Sequence, residues 1–248
     1  MLVTRPAGQA QELVALLAER GIDAMSVPTV EIAPAAPGGA LDAALASLDD
    51  AAWLVITSAN GADAVAGRLN ELGMALPATT RIAAVGAATA ARMESHGHRV
   101  DHVPATYRTA AIAEGMGDVA GKRVVLARAD AASPELRDAL IARHALVDEV
   151  VSYRTVEAPV ASRDRLRLAL HAPLDGVTFT SGSTVRGLTE LASAIDARRA
   201  TTLPAFCIGP VTADVARNAG FWVPVVAAPH TAPALASAIH DYLFGASS

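Results

Sequence analysis

The sequence predicts an α/β fold of two similar doubly wound parallel-sheet domains. Three observations carry that expectation. Two stretches, AAVGAATAARMESHGHRVDHV and AFCIGPVTADVARNAGFWVPVV, read alike: Gly86, Thr89 and Gly97 of the first return as Gly209, Thr212 and Gly220 of the second, 123 residues on each time. The same offset carries Thr57-Ser58 onto Thr180-Ser181 and Arg5 onto Arg128. One offset across separated motifs marks a duplicated unit of about 120 residues, near the common domain size. Short apolar runs alternate with helical stretches in both units, which is the pattern of parallel sheets with helices on both faces.

The elements follow in order. LVT, from Leu2, is a short apolar run of strand type. QAQELVALLAER sets Leu13, Leu16 and Leu17 at helical spacing, and Gly21 is its stop. IDAMSV reads as the next strand. WLVITS and VTFTS are β-branched or apolar runs ending in Thr-Ser, and IAAV and AFCI are strands ending in Gly. GHRVDHV and FWVPVV, after Gly stops, are strand candidates. Helices beginning near Thr109 and Thr231 close the units. Two Pro-rich segments, PTVEIAPAAPGG and SYRTVEAPVAS, break the rhythm and share Thr-Val-Glu. Proline favours extended backbone there, so both read as crossings between domains. A chain that crosses twice, at 32–34 and 154–156, packs residues 1–31 with 157–248 and leaves 35–153 as the other domain. Its crossings then pair as a two-stranded linker, a hinge over a cleft between the domains. The alternative is a pair of tandem domains split near residue 119.

Composition excludes several classes. At 52% hydrophobic and 18% charged, the 248-residue chain is not disordered. Mean hydropathy is +0.34, yet every apolar run is broken by Arg, Asp, Glu, Gly or Pro well short of a membrane span. MLVTRP lacks the basic and apolar regions of a signal peptide, so a cytoplasmic protein with no membrane partner is expected. Cys207 is the only cysteine, which excludes intrachain disulfides and multi-Cys metal sites. Net charge is −5, Lys122 is the only lysine, and no basic block is dense enough to bind nucleic acid. An anionic ligand must therefore be held by local groups.

The repeated motif is a strand that ends in Ser, Thr or Gly and opens a helix. Thr57, Ser58 and Asn60 sit at one such end, with Thr180, Ser181, Gly182 and Ser183 at its copy. Gly86 with Thr89, and Gly209 with Thr212, form the second pair. Free backbone N–H groups and the positive end of the helix dipole meet there, and hydroxyls add donors. In doubly wound sheets this carboxyl edge is where ligands bind. The arrangement suits a ligand carrying several carboxylates or phosphates. Ser and Thr at these positions are also ordinary N-caps, and a duplicated fold duplicates its caps. Arg5 and Arg128 end the first strand of each unit, and each reads either as a carboxylate ligand or as a strand-end salt bridge. Neither GxGxxG, nor GxxxxGK[ST], nor GxSxG occurs. His98 and His102 align with Phe221 and Val225, apolar strand positions, so these two and His96 do not read as a metal site and no metal is expected. Cys207, in AFCI, reads as a core residue. Tyr153 starts the second crossing. A phenol can give a proton to a leaving hydroxyl; the other reading is an aromatic that packs the hinge.

VTRP and the amphipathic helix after it, ITSANGADAV, VGAATAARM, VVSYRT, FTSGSTV and IGPVTADVARNAG, in this order over essentially the whole chain, resemble the uroporphyrinogen-III synthase family. The resemblance implies two α/β domains joined by a two-stranded linker, with the first and last segments sharing a domain, which favours the double crossing. It implies a monomeric lyase of tetrapyrrole (haem, sirohaem, cobalamin) biosynthesis. Its substrate would be hydroxymethylbilane, a linear tetrapyrrole rich in carboxylates. The enzyme removes the terminal hydroxyl as water and closes the ring with inversion of the last pyrrole, giving uroporphyrinogen III. No cofactor or metal is implied; a transient contact with hydroxymethylbilane synthase is. Carried over position by position, Tyr153 is the candidate acid. Thr4 and Arg5, Thr57 to Asn60 (Ala59 included), Gly86 and Thr89 in the first repeat, with Arg128 of the second, match substrate-binding positions. Thr180, Ser181, Gly182, Ser183, Gly209 and Thr212 match the rest. Two positions depart: Ala129 and His144 stand where the family has Gly, so altered backbone is expected in both loops. The competing reading is a non-catalytic two-lobed ligand-binding sensor of the same fold; with neither a helix-turn-helix segment nor a basic tail in the sequence, it ranks second.

Overall fold

The first apolar pair forms strand β1 (Leu2–Val3) and leads into α1 (Ala7–Ala18). Gly21 stops the helix in the left-handed region at φ 73°, and β2 (Met25–Ser26) and β3 (Val30–Pro34) follow. Then come α2 (Ala40–Ala46), β4 (Ala51–Ile56), α3 (Ala59–Leu72), β5 (Arg81–Ala84), α4 (Ala87–Ser95), α5 (Thr109–Gly115), β6 (Arg123–Ala129), α6 (Glu135–Ala142) and the long β7 (Leu146–Glu157). The last third adds α7 (Arg163–His171), β8 (Val177–Phe179), α8 (Gly182–Leu191), α9 (Ala194–Thr202), β9 (Ala205–Cys207), α10 (Pro210–Asn218), β10 (Val225–Val226) and α11 (Ala232–Phe244).

The computed structural model describes residues 1–104 and 109–245. It divides into two units, Met1–Glu31 with Thr155–Ser248, and Ile32–Arg154. Both boundaries fall inside strands, β3 and β7, which are neighbours in one sheet. The first unit carries the sheet order β10-β9-β8-β1-β2, with every pairing parallel. The second carries β3-β7-β6-β4-β5, and its β7-β6-β4-β5 pairings are parallel. Alternate residues of each strand feed opposite cores, as the two-residue period of a strand requires. In the first unit Leu2, Val177 and Phe179 pack on one face, and Val3 and Phe206 on the other with α1 and α11. In the second unit Leu54, Ile56 and Val125 face α2 to α4, while Trp53, Val55 and Val124 face α5 and α6. Both sheets are thus covered on both faces, the doubly wound arrangement.

The internal repeat survives as pairing. Val225 pairs with Phe206, and 123 residues earlier His102 bridges Ala83 in the same parallel sense. The strand expected over GHRVDHV shrinks to that single bridge. The cause is Asp101, whose carboxylate accepts the Ile82 N–H at 2.9 Å and so takes a donor that a longer ladder would need. The altered helix stop expected at His144 is also corrected. His144 keeps the left-handed conformation, φ 61°, with its N–H on Ile141 O and that of Ala145 on Leu140 O. The backbone matches that of Gly21, its repeat partner, and the histidine bears the strain.

Candidate active site

In the second unit, β4 ends at Ile56 and Ser58 caps α3, its Oγ accepting the Gly61 N–H at 3.1 Å. Two strands away in the sheet, β7 runs past the end of β6. Its register slips there: Arg128 pairs with Val151 but Ala129 with Tyr153, so Ser152 is an extra residue. Such a bulge re-aims the side chains after it. Burial shows the effect, because Val151 is exposed while Ser152 and Tyr153 are both buried in succession. Tyr153 thereby reaches Ser58, with its hydroxyl 3.0 Å from Ser58 Oγ. Two residues singled out 95 positions apart thus meet at the carboxyl edge of one sheet. Gly61 closes the group from the helix side. A Cβ there would lie 3.3 Å from Ser58 Oγ and 3.6 Å from Ser152 Oγ.

The other predicted residues divide by what they touch. Arg128 makes its contacts inside the protein, the salt-bridge alternative of the two readings. Its guanidinium donates to Ser133 O at 2.6 Å and Ala132 O at 3.1 Å, and its Nε lies 2.6 Å from Glu149 Oε1 as an ion pair, off the hydrogen-bond line. The side chain is only 6% exposed. Sequence reasoning missed Glu149, and no local pattern pairs it with Arg128. Arg5 is held more loosely, by Glu12 at 3.3 Å and Gln9 at 3.5 Å, and its buried Nε has no partner. Thr4 is fully buried and donates to Thr178 O at 2.6 Å. Thr89 and Thr212 are buried in the first turns of α4 and α10, so their hydroxyls are withdrawn from solvent. Gly86 and Gly209 are the N-caps of those helices, and neither helix has a side-chain cap, which leaves first-turn N–H groups without a local acceptor. In the first unit, Ser181 caps α8 in a capping box with Thr184 and lies 2.8 Å from Ser183 Oγ. Thr57, Ala59, Asn60, Thr180 and Gly182 flank these caps and are partly exposed.

Cys207 lies in the core of the first unit, where burial pushes its thiol up to about 12, so it carries no thiolate at neutral pH. His96 bonds Asp63 at 2.7 Å. Among the described residues, no three His, Cys, Asp or Glu side chains gather to hold a metal ion, and no helix is long and apolar enough to cross a membrane.

Residues 11–237 match the family model described as HEM4, uroporphyrinogen-III synthase HemD. The chain is 31% identical to the uroporphyrinogen-III synthase of Synechococcus elongatus, over 98% of this chain and 94% of that protein. It is 30% identical to the porphyrin biosynthesis protein HemD of Ruminiclostridium josui, over 88% of this chain but 44% of that longer protein. Its fold resembles a mutant uroporphyrinogen III synthase from the extreme thermophile Thermus thermophilus, with a TM-score of 0.63 at 20% identity over 98% of both chains.

Proposed function

The chain belongs to the uroporphyrinogen-III synthase family, and on that premise we propose that it is a lyase that converts hydroxymethylbilane to uroporphyrinogen III. The observation that best supports the chemistry is the Tyr153–Ser58 contact at 3.0 Å, a phenol beside the N-terminus of α3 at a sheet's carboxyl edge. In this reading Tyr153 gives its proton to the terminal hydroxyl, the carbon–oxygen bond breaks, and water leaves. The electron-rich pyrrole stabilises the cation left behind. The substituted carbon of the last ring attacks it and forms a spiro intermediate. Fragmentation and re-closure invert that ring, and the proton shed from the ring carbon as aromaticity returns restores the phenol. Ser181, Ser183 and the first-turn N–H groups of α4 and α10 offer donors to the substrate's carboxylates in each unit. An acidic protein holds a polyanion in this way, by local donors rather than by net charge. The protein acts in the cytoplasm as a monomer and takes its labile substrate by transient contact with hydroxymethylbilane synthase.

The test is a product assay. Hydroxymethylbilane is generated in situ, the protein is added, and the oxidised porphyrin isomers are separated. Type III isomer in proportion to protein is expected. Type I alone, with the protein folded, overturns the reading.

A further inference from the structure

We infer that Ser58 is the positioning residue for the Tyr153 phenol, acting through that hydroxyl rather than on the substrate. The inference rests on the proposed acid role of Tyr153 and deepens it. A serine hydroxyl has one proton to give and two lone pairs to receive. Ser58 Oγ receives the Gly61 N–H at 3.1 Å, and the Tyr153 oxygen stands 3.0 Å away. With the Ser58 proton turned to that oxygen, the phenol's own proton is left to point to the substrate. The same bond matters more after transfer. When the phenol proton has gone to the departing hydroxyl and water has left, the phenolate keeps the electron pair, and Ser58 O–H donates to it. The Gly61 N–H and the 14-residue helix α3 stand behind Ser58 and place the positive end of a helix dipole near the new negative charge. A hydrogen bond to a charged oxygen is worth more than one to a neutral oxygen, so the contact favours the transition state over the ground state.

Three features fix this geometry. The bulge at Ser152 turns Tyr153 toward the helix. Ser152 Oγ donates to Arg128 O at 3.3 Å and pins the bulge. Gly61 has no side chain to push Ser58 Oγ away; a Cβ would approach it to 3.3 Å. The repeat supplies a contrast, because the serine at the matching cap, Ser181, engages Ser183 with its hydroxyl instead.

The test is a double-mutant cycle on the full chain, read as kcat and KM for type III product. Ser58→Ala is expected to lower kcat about tenfold or more, the loss expected of a hydrogen bond to a charged oxygen, with KM within about twofold. Ser58→Gly, which caps the helix nearly as well as serine but lacks the hydroxyl, is expected to show the same kcat loss and separates it from any loss of helix stability. Ser58→Thr is expected to restore most of the rate. In a Tyr153→Phe background, Ser58→Ala is expected to cost nothing further. Additive losses, or a rise in KM with kcat unchanged, overturn the positioning role while leaving Tyr153 as the acid. A silent Tyr153→Phe removes the acid reading and the positioning role with it. Type I product alone from the wild type removes the synthase reading as a whole.

Discussion

Arg128 is a residue whose surroundings bear directly on its two readings. Its position at the end of β6 fits a carboxylate ligand as well as a salt bridge, and only its surroundings decide. Its nearly buried guanidinium bonds two carbonyls and pairs with Glu149 inside the protein. Arg128→Ala is therefore expected to cost about 2–3 kcal/mol of stability in urea titration, since it leaves those carbonyls without a donor and Glu149 with only the more distant Arg137, at 3.7 Å. KM is expected to stay unchanged; a rise in KM with intact stability would return Arg128 to the substrate. His144 gives the opposite sign. It holds φ 61° where its repeat partner is Gly21 at φ 73°. His144→Gly is expected to stabilise by about 0.5–1 kcal/mol, the strain relieved less the extra chain entropy lost, and a calorimetric midpoint that falls instead would show that the imidazole makes a stabilising contact of its own. The motif could name Arg128 and His144 as special positions. It could not say what lay around them, because Glu149 is 21 residues from Arg128 and meets it only across the sheet.

At the scale of elements, α8 packs closely against the segment after β2. A Cβ on Gly187 would lie 2.0 Å from Thr29 O and 3.2 Å from Ala158 N. Gly187→Ala ordinarily favours a helix, yet here it is expected to destabilise by about 2 kcal/mol or more, because backbone and not a flexible side chain must give way. An unchanged unfolding midpoint would mean that α8 can slide. Helices α3 and α4 are joined by Asp63, which takes Arg92 Nε at 2.5 Å and His96 Nε2 at 2.7 Å. Burial raises the Asp63 carboxyl, but the hydrogen bonds from Arg92 and His96 outweigh it, and the net shift is downward. A carboxyl lowered in the folded state adds stability above its ordinary value and loses it as pH falls through the folded one. The stability gap between wild type and Asp63→Asn is thus expected to be full near pH ~6, to shrink below pH ~4, and to close in stronger acid. A gap independent of pH would refute the pair. The strands and helices themselves were largely legible, because a period of two residues or a stripe at helical spacing is a local signal. The bulge at Ser152 was not: its cue, two buried residues in succession, exists only after folding. The strand over GHRVDHV misled for a similar reason, since the apolar pattern is present but Asp101 consumes the ladder's donor.

For the whole molecule, the two units differ in how they are strung along the chain. One is a continuous stretch, Ile32–Arg154, and the other needs both ends of the chain. Residues 32–154 expressed alone are expected to unfold cooperatively in urea; a gradual, non-cooperative loss of circular dichroism would show that β3 and β7 need the rest of their length. Residues 155–248 alone are expected to stay unfolded, because β1 and β2 make up one side of the sheet and β1 stands between β2 and β8. The duplication was legible from one offset of 123 residues, and so was the paired use of Ser and Gly caps. The meeting of Ser58 with Tyr153 was not, since no offset links them. That stringing also sets a schedule. Leu2 pairs with Val177, about 175 residues later in the chain. At roughly 5–20 residues per second on the ribosome, the nascent first strand waits about 10–35 s for the partner on its open side, while the middle of the protein is finished and able to fold. Through that interval the apolar face of α1 lacks Phe206 and the α11 residues that cover it in the folded unit, which leaves the first thirty or so residues exposed to aggregation while the rest is made.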